Sequence, residues 1–178
     1  MRHWNAFLIP AVVISTSAYA TEYLSVAQAQ AQLFPGVKSF ISQPLKFNEE
    51  QRDRIKAAAG VRQRWEEQKV WRAEQGGVLK GWFIVDEVIG KHEFITYATA
   101  ISPDGHVLGV EILVYLETHG GQIQEASWRK HLVGKTLADP FKLDEDVPNI
   151  SGATLSCRNV LDGVKRMLVL HKFFLAKT

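Results

Sequence analysis

Polar and apolar positions change rhythm along the chain, and each change marks an element. Between Ser25 and about Leu33, and again between Asn48 and Ala59, polar-rich stretches carry helix punctuation. Ser25 and Asn48 stand as N-caps, Glu49-Glu50 opens a first turn, and Pro35-Gly36 and Gly60 supply the stops. These signals predict two short helices, the second with Arg52, Asp53 and Arg54 on a solvated face. From Gln68 the rhythm is that of strands: Lys69 to Ala73, then Val78 to Val85 after the hairpin signal Gln75-Gly76-Gly77. Phe94 to Ile101 and His106 to Tyr115 follow, joined by Ser102-Pro103-Asp104-Gly105, whose proline and glycine suit a type I turn. Asp86 to His92 mixes charge with apolar residues and is expected to interrupt the strands as a loop.

Helical spacing returns near the C-terminus. Ala126 to Val133 predicts a short helix with Arg129 and Lys130 on a solvated basic face. The turn-rich Asp144-Glu145-Asp146-Val147-Pro148-Asn149 leads into a long helix over Ala153 to about Leu175, with Ser151 as N-cap and Thr154 in the first turn. Leu155, Val160, Leu161, Val164, Leu168 and Phe174 give that helix an apolar face for the sheet. Lys165, Arg166, His171 and Lys172 break up its apolar end, which argues for core packing over a membrane surface. Helices before and after a run of strands predict an α+β fold: an antiparallel sheet flanked by helices in one domain.

Composition narrows the class. With 46% hydrophobic and 22% charged residues in 178, the chain suits one globular domain with its own core. A formal charge of +2 without a dense basic block argues against a nucleic-acid partner. Cys157 is the one cysteine, so no disulfide can form within the chain, and a buried structural thiol is expected. Residues 1–20 have the layout of a signal peptide: basic Arg2 and His3, apolar Ala6 to Ile14, and the small-x-small site Ala18-Tyr19-Ala20. A periplasmic or otherwise exported domain over residues 21–178 is therefore expected, with an uncleaved N-terminal anchor as the alternative.

Candidate chemistry gathers in two blocks. Ser151-Gly152-Ala153-Thr154-Leu155-Ser156 opens the last helix, where free backbone N–H groups and the helix dipole suit a phosphate. Glu117-Thr118-His119-Gly120-Gly121 ends a buried strand. Its glycines permit close approach and positive φ, while Glu117 and His119 offer an acceptor and a titratable donor. Taken alone, each block also reads as an ordinary capped helix or a glycine turn.

Together the blocks resemble the FMN-binding domain family. Ser151-Gly152-Ala153-Thr154 with Ser156 is similar to its flavinylation motif, and Glu117-Thr118-His119-Gly120 to its Glu-Thr-x-Gly loop beside the flavin ring. The family includes the covalent-FMN subunits of the sodium-pumping NADH:quinone reductase and Rnf complexes and small single-domain periplasmic flavoproteins. The likeness runs from about Glu74 to Leu168. It implies FMN joined by a phosphoester to Thr154, a flavin transferase for maturation, and electron exchange with a redox partner that a membrane could hold. It also implies that the Asp86–His92 segment packs near the flavin. Pro148 stands where the family often has Asp, and His119 and Gly121 where the pumping subunits usually carry Pro and Leu, which points to the single-domain relatives.

Other classes find less support. A flavin-free binding module that retains the fold is the alternative. A hydrolase built on Ser151 or Ser156 lacks a Gly-x-Ser-x-Gly elbow, and His92, His119 and His131 match no compact metal-ligand spacing. No residue is assigned a catalytic or metal-binding role.

Overall fold

The computed structural model describes residues 23–176, so the expected signal peptide lies outside the described residues. The two capped helices form as α1, Val26–Leu33, and α2, Glu49–Ala59. Each opens with a reciprocal capping box, Ser25 with Gln28 and Asn48 with Gln51, and α2 closes on Gly60 in the left-handed conformation. Between them lie two short strands that the sequence pattern does not announce, β1 at Ser39–Ser42 and β2 at Leu45–Lys46.

The main strands are β3, Glu67–Gln75; β4, Val78–Ile89; β5, Phe94–Ile101; and β6, Val107–Tyr115. They form an antiparallel sheet in the order β1-β3-β4-β5-β6, with β2 also pairing β3. The β5–β6 turn is closed by the Gly105 N–H donating to the Ser102 carbonyl at 3.0 Å. Strand alternation sorts side chains onto two covered faces. Phe83, Val85, Ala98, Ala100 and Leu113 join Ala29 of α1 on one face. Trp82, Ile84, Val88, Ile95 and Tyr97 pack with Val160, Leu161 and Val164 on the other.

Those last residues belong to α4, Thr154–Leu170, which is followed by a π-type turn over His171–Leu175 instead of one unbroken helix. Val169, Leu170 and Leu175 are buried, and Phe174 packs against Phe47 at 5.2 Å, so the apolar end serves the core. Among the described residues no helix is long and apolar enough to cross a membrane.

Several expectations are corrected. Asp86 to Ile89 continues β4. Asp86 is buried because its carboxylate meets the Arg166 guanidinium from α4 and accepts the Tyr97 hydroxyl at 2.6 Å. A charge in the middle of an apolar strand reads as a loop until its partner, here 80 residues away, is known. The segment from Ala126 is not one helix. It is a single α turn, α3, Ala126–Arg129, followed by a 3-10 turn over Lys130–Leu132. Lys130 is exposed as expected, but Arg129 is not solvated: it binds Glu111 at 2.5 Å and the Val110 carbonyl at 3.0 Å, beside the edge of β6.

Candidate functional site

The β6 strand and α4 both deliver their functional ends to the same corner. β4 and β5 are joined there by the tight turn Gly90–Glu93, closed by the Gly90 N–H donating to the Glu93 carbonyl at 2.7 Å. A cleft of about 640 Å³ opens between this turn, the segment after β6 and the first turn of α4. Its volume lies in the range usual for small-molecule sites. Gly152, Ala153, Thr154, Leu155 and Ser156 line one side, and Glu117, Thr118 and His119 another. Lys91 and His92 of the β4–β5 turn complete it. Two blocks separated by some thirty residues of sequence are thus brought to one cavity.

At the helix wall, the N-cap is Ala153, with φ −125°, not Ser151. Ser151 and Gly152 instead form an exposed turn, closed by the Ala153 N–H donating to the Ile150 carbonyl at 2.9 Å. Ser151 does not line the cleft. No side chain caps α4, so its first-turn N–H groups are left to a ligand or water. Thr154 is the first helical residue and is partly exposed beside them. Leu155, expected on the sheet-facing side, is 46% exposed at the cleft, because it lies about two and a half turns before the buried Val164 and so on the opposite face of the helix. Ser156 is buried. Cys157, one residue on, is also buried, and burial pushes its thiol pKa up, as befits a structural thiol.

The loop wall is held by contacts the sequence did not advertise. The Tyr115 hydroxyl donates to the His119 carbonyl at 2.6 Å and lies 3.5 Å from Ser156 Oγ, bridging the loop and the helix. Burial raises the Tyr115 pKa above its ordinary value, so the phenol stays protonated and available as a donor. Gly120 has φ +86°, and a Cβ there would lie 2.4 Å from the Ala153 Cβ and 2.8 Å from the Tyr115 hydroxyl. Gly120 therefore faces the helix, not the cavity. Tyr115 escapes sequence reasoning because its partner Ser156 lies 41 residues away; the available hint was a hydroxyl-bearing aromatic ending a strand just before a glycine loop.

Glu117 is already engaged. Its Oε1 accepts the backbone N–H of His92 at 2.6 Å and of Glu93 at 3.0 Å. Partial burial works to raise its pKa, but the N–H groups of His92, Glu93 and Lys91 outweigh that and hold the carboxyl below its ordinary value. The Thr118 hydroxyl and His119 Nδ1 share a hydrogen bond of 2.8 Å. Pro148, outside the cleft, offers its carbonyl to the Trp128 indole N–H at 2.7 Å and so fixes the approach to α4. Among the described residues no group of three His, Cys, Asp or Glu side chains is placed to hold a metal.

Residues 90–169, which contain every residue lining this cleft, match the model of the FMN-binding domain. The chain resembles the FMN-binding domain family. A solved structure agrees in fold: the NqrC-type component of the Na+-translocating NADH-quinone reductase from Parabacteroides distasonis is 17% identical, with 87% of each chain covered and a TM-score of 0.55. NqrC from Shewanella oneidensis is 19% identical with a TM-score of 0.49; 72% of this chain is covered, and the chain spans 63% of the length of that protein. No curated protein sequence matches the chain. The residues present fit an FMN: a cleft of suitable size, an uncapped helix start for a phosphate, and a hydroxyl beside it.

Proposed function

We propose that the protein is an exported flavoprotein that transfers electrons, with FMN joined through its phosphate to Thr154. The observation that carries this reading is the convergence of the Thr154 block and the Glu117 block on one cleft whose helix wall is uncapped. When bound, the flavin ring supplies one- and two-electron chemistry, and the protein supplies attachment, orientation and electrostatic tuning. Thr154 offers the hydroxyl for the phosphoester, and the N–H groups at the start of α4 favour the negative phosphate beside it. Tyr115 keeps the loop and helix walls at a fixed spacing. By this reading a flavin transferase provides the base and metal for attachment. Covalent attachment suits an exported protein, which could not readily recover a lost cofactor. Export itself rests on the leader pattern before Thr21, and N-terminal sequencing of secreted protein should begin there.

The test is coexpression with a flavin transferase, followed by denaturing electrophoresis viewed by flavin fluorescence. Wild type should fluoresce, Thr154→Ala should be dark, and Ser156→Ala should fluoresce, because Ser156 is buried with its hydroxyl beside Tyr115. Alanine is at least as good a helix former as threonine, so loss of signal would not reflect loss of α4. A fluorescent Thr154→Ala band would refute the attachment site. A dark wild-type band would favour a flavin-free module that keeps the fold.

A further inference from the structure

Resting on the reading of this cleft as a flavin site, we propose that Lys91 recognises the phosphate of the cofactor, so that the cleft selects a phosphorylated flavin over an unphosphorylated one. Lys91 is the one side chain of fixed positive charge among those lining the cleft. It forms no ion pair with any described residue. The one carboxylate of the lining, Glu117, is turned to the backbone N–H groups of His92 and Glu93. Its charge is satisfied by the turn that carries Lys91, and the exposed Lys91 is without an ion-pair partner among the described residues.

The turn is built to stay in place. A Cβ at Gly90 would lie 2.4 Å from Glu117 Oε1, so a larger residue there would displace the carboxylate that staples the turn to the end of β6. Across the cleft, the uncapped start of α4 presents its partial positive charge. A ligand held between the two walls meets positive potential from both, which suits the anionic phosphate and offers nothing comparable to a neutral flavin. By this inference Glu117 is a positioning residue that acts through the turn, and Lys91 is the residue that touches the ligand.

The full chain, produced without a flavin transferase so that no covalent adduct forms, is titrated with FMN and separately with riboflavin by quenching of flavin fluorescence. The parent should bind FMN more tightly than riboflavin. Lys91→Met should weaken FMN binding roughly three- to tenfold, the scale of a partly solvated charge-assisted contact, with riboflavin binding unchanged. Lys91→Arg should keep most of the preference. Circular dichroism of each variant checks the fold. A Lys91→Met variant that leaves FMN affinity unchanged, or weakens both flavins equally, overturns the assignment of Lys91 while leaving the flavin site standing. A parent that binds neither flavin, or binds the two equally, overturns this inference; the functional reading falls only if the parent coexpressed with a flavin transferase also carries no flavin.

Discussion

Gly120 offers a graded test of how the two walls of the cleft are held together. Its backbone is left-handed, with φ +86°, and its missing Cβ would sit 2.4 Å from Ala153 Cβ and 2.8 Å from the Tyr115 hydroxyl. Alanine here carries two costs. Forcing a residue with a side chain into the left-handed region costs about 1–2 kcal/mol. Crowding a packed contact adds about 1–3 kcal/mol, giving a total of about 2–5 kcal/mol. For a chain of this size that lowers the thermal midpoint by roughly 5–20 °C. Two neighbouring glycines separate the terms. Gly152 has φ +82° with nothing within 4 Å, so Gly152→Ala should cost the backbone term alone. Gly121 has no positive φ and meets only Gln124 Nε2 at 3.6 Å, so Gly121→Ala should change stability by about 0.5 kcal/mol or less. Urea denaturation of the three variants reads the order directly. Equal stability of Gly120→Ala and Gly121→Ala would refute the described packing of loop on helix.

Two further perturbations test what holds the site's supports. Arg166→Met strips the buried Asp86 carboxylate of its cation and should cost about 3–5 kcal/mol in urea denaturation, with much of that recovered by Asp86→Leu in the same chain; a single variant as stable as the parent would contradict the buried pair. Asp146 is partly buried, which works to raise its pKa, but Lys135 at 2.6 Å and the N–H groups of Phe141 and Lys142 overcome this and hold it below the ordinary carboxylate value. Its stabilisation is therefore complete above the unfolded-state value of about 3.9 and is lost as pH falls through the lower folded value. Asp146→Asn should flatten the acid limb of a stability–pH curve measured between pH 6 and the acid transition, and an unchanged limb would count against the assignment.

The parts of the fold that were legible in the sequence are those governed by local chemistry. Ser25 with Gln28 and Asn48 with Gln51 carry the whole signal for their helix starts within four residues. The β3–β4 hairpin follows likewise from Gly76-Gly77. What escaped depends on distant partners. β1 is four residues long, mostly exposed, and exists only because it pairs with β3. Asp86 and Arg129 looked like solvent-facing charges until Arg166 and Glu111 stood beside them. Of the candidate site, the Thr154 and Glu117 blocks could be named from their residues, but the sheet register is what unites them, and Ser151 and Gly120 fall outside the cleft lining. The β4–β5 turn completes the site through a Glu117 contact 25 residues away from His92.

The central claim is that Thr154 carries an FMN phosphoester. Trypsin should release residues 143–158 as one peptide, since no Lys or Arg lies between Lys142 and Arg158. Mass spectrometry of that peptide, from protein purified out of its exporting host, should find the added mass of one FMN less one water, with fragment ions placing it on Thr154. An unmodified peptide, or an adduct on Ser151 or Ser156, would contradict the account.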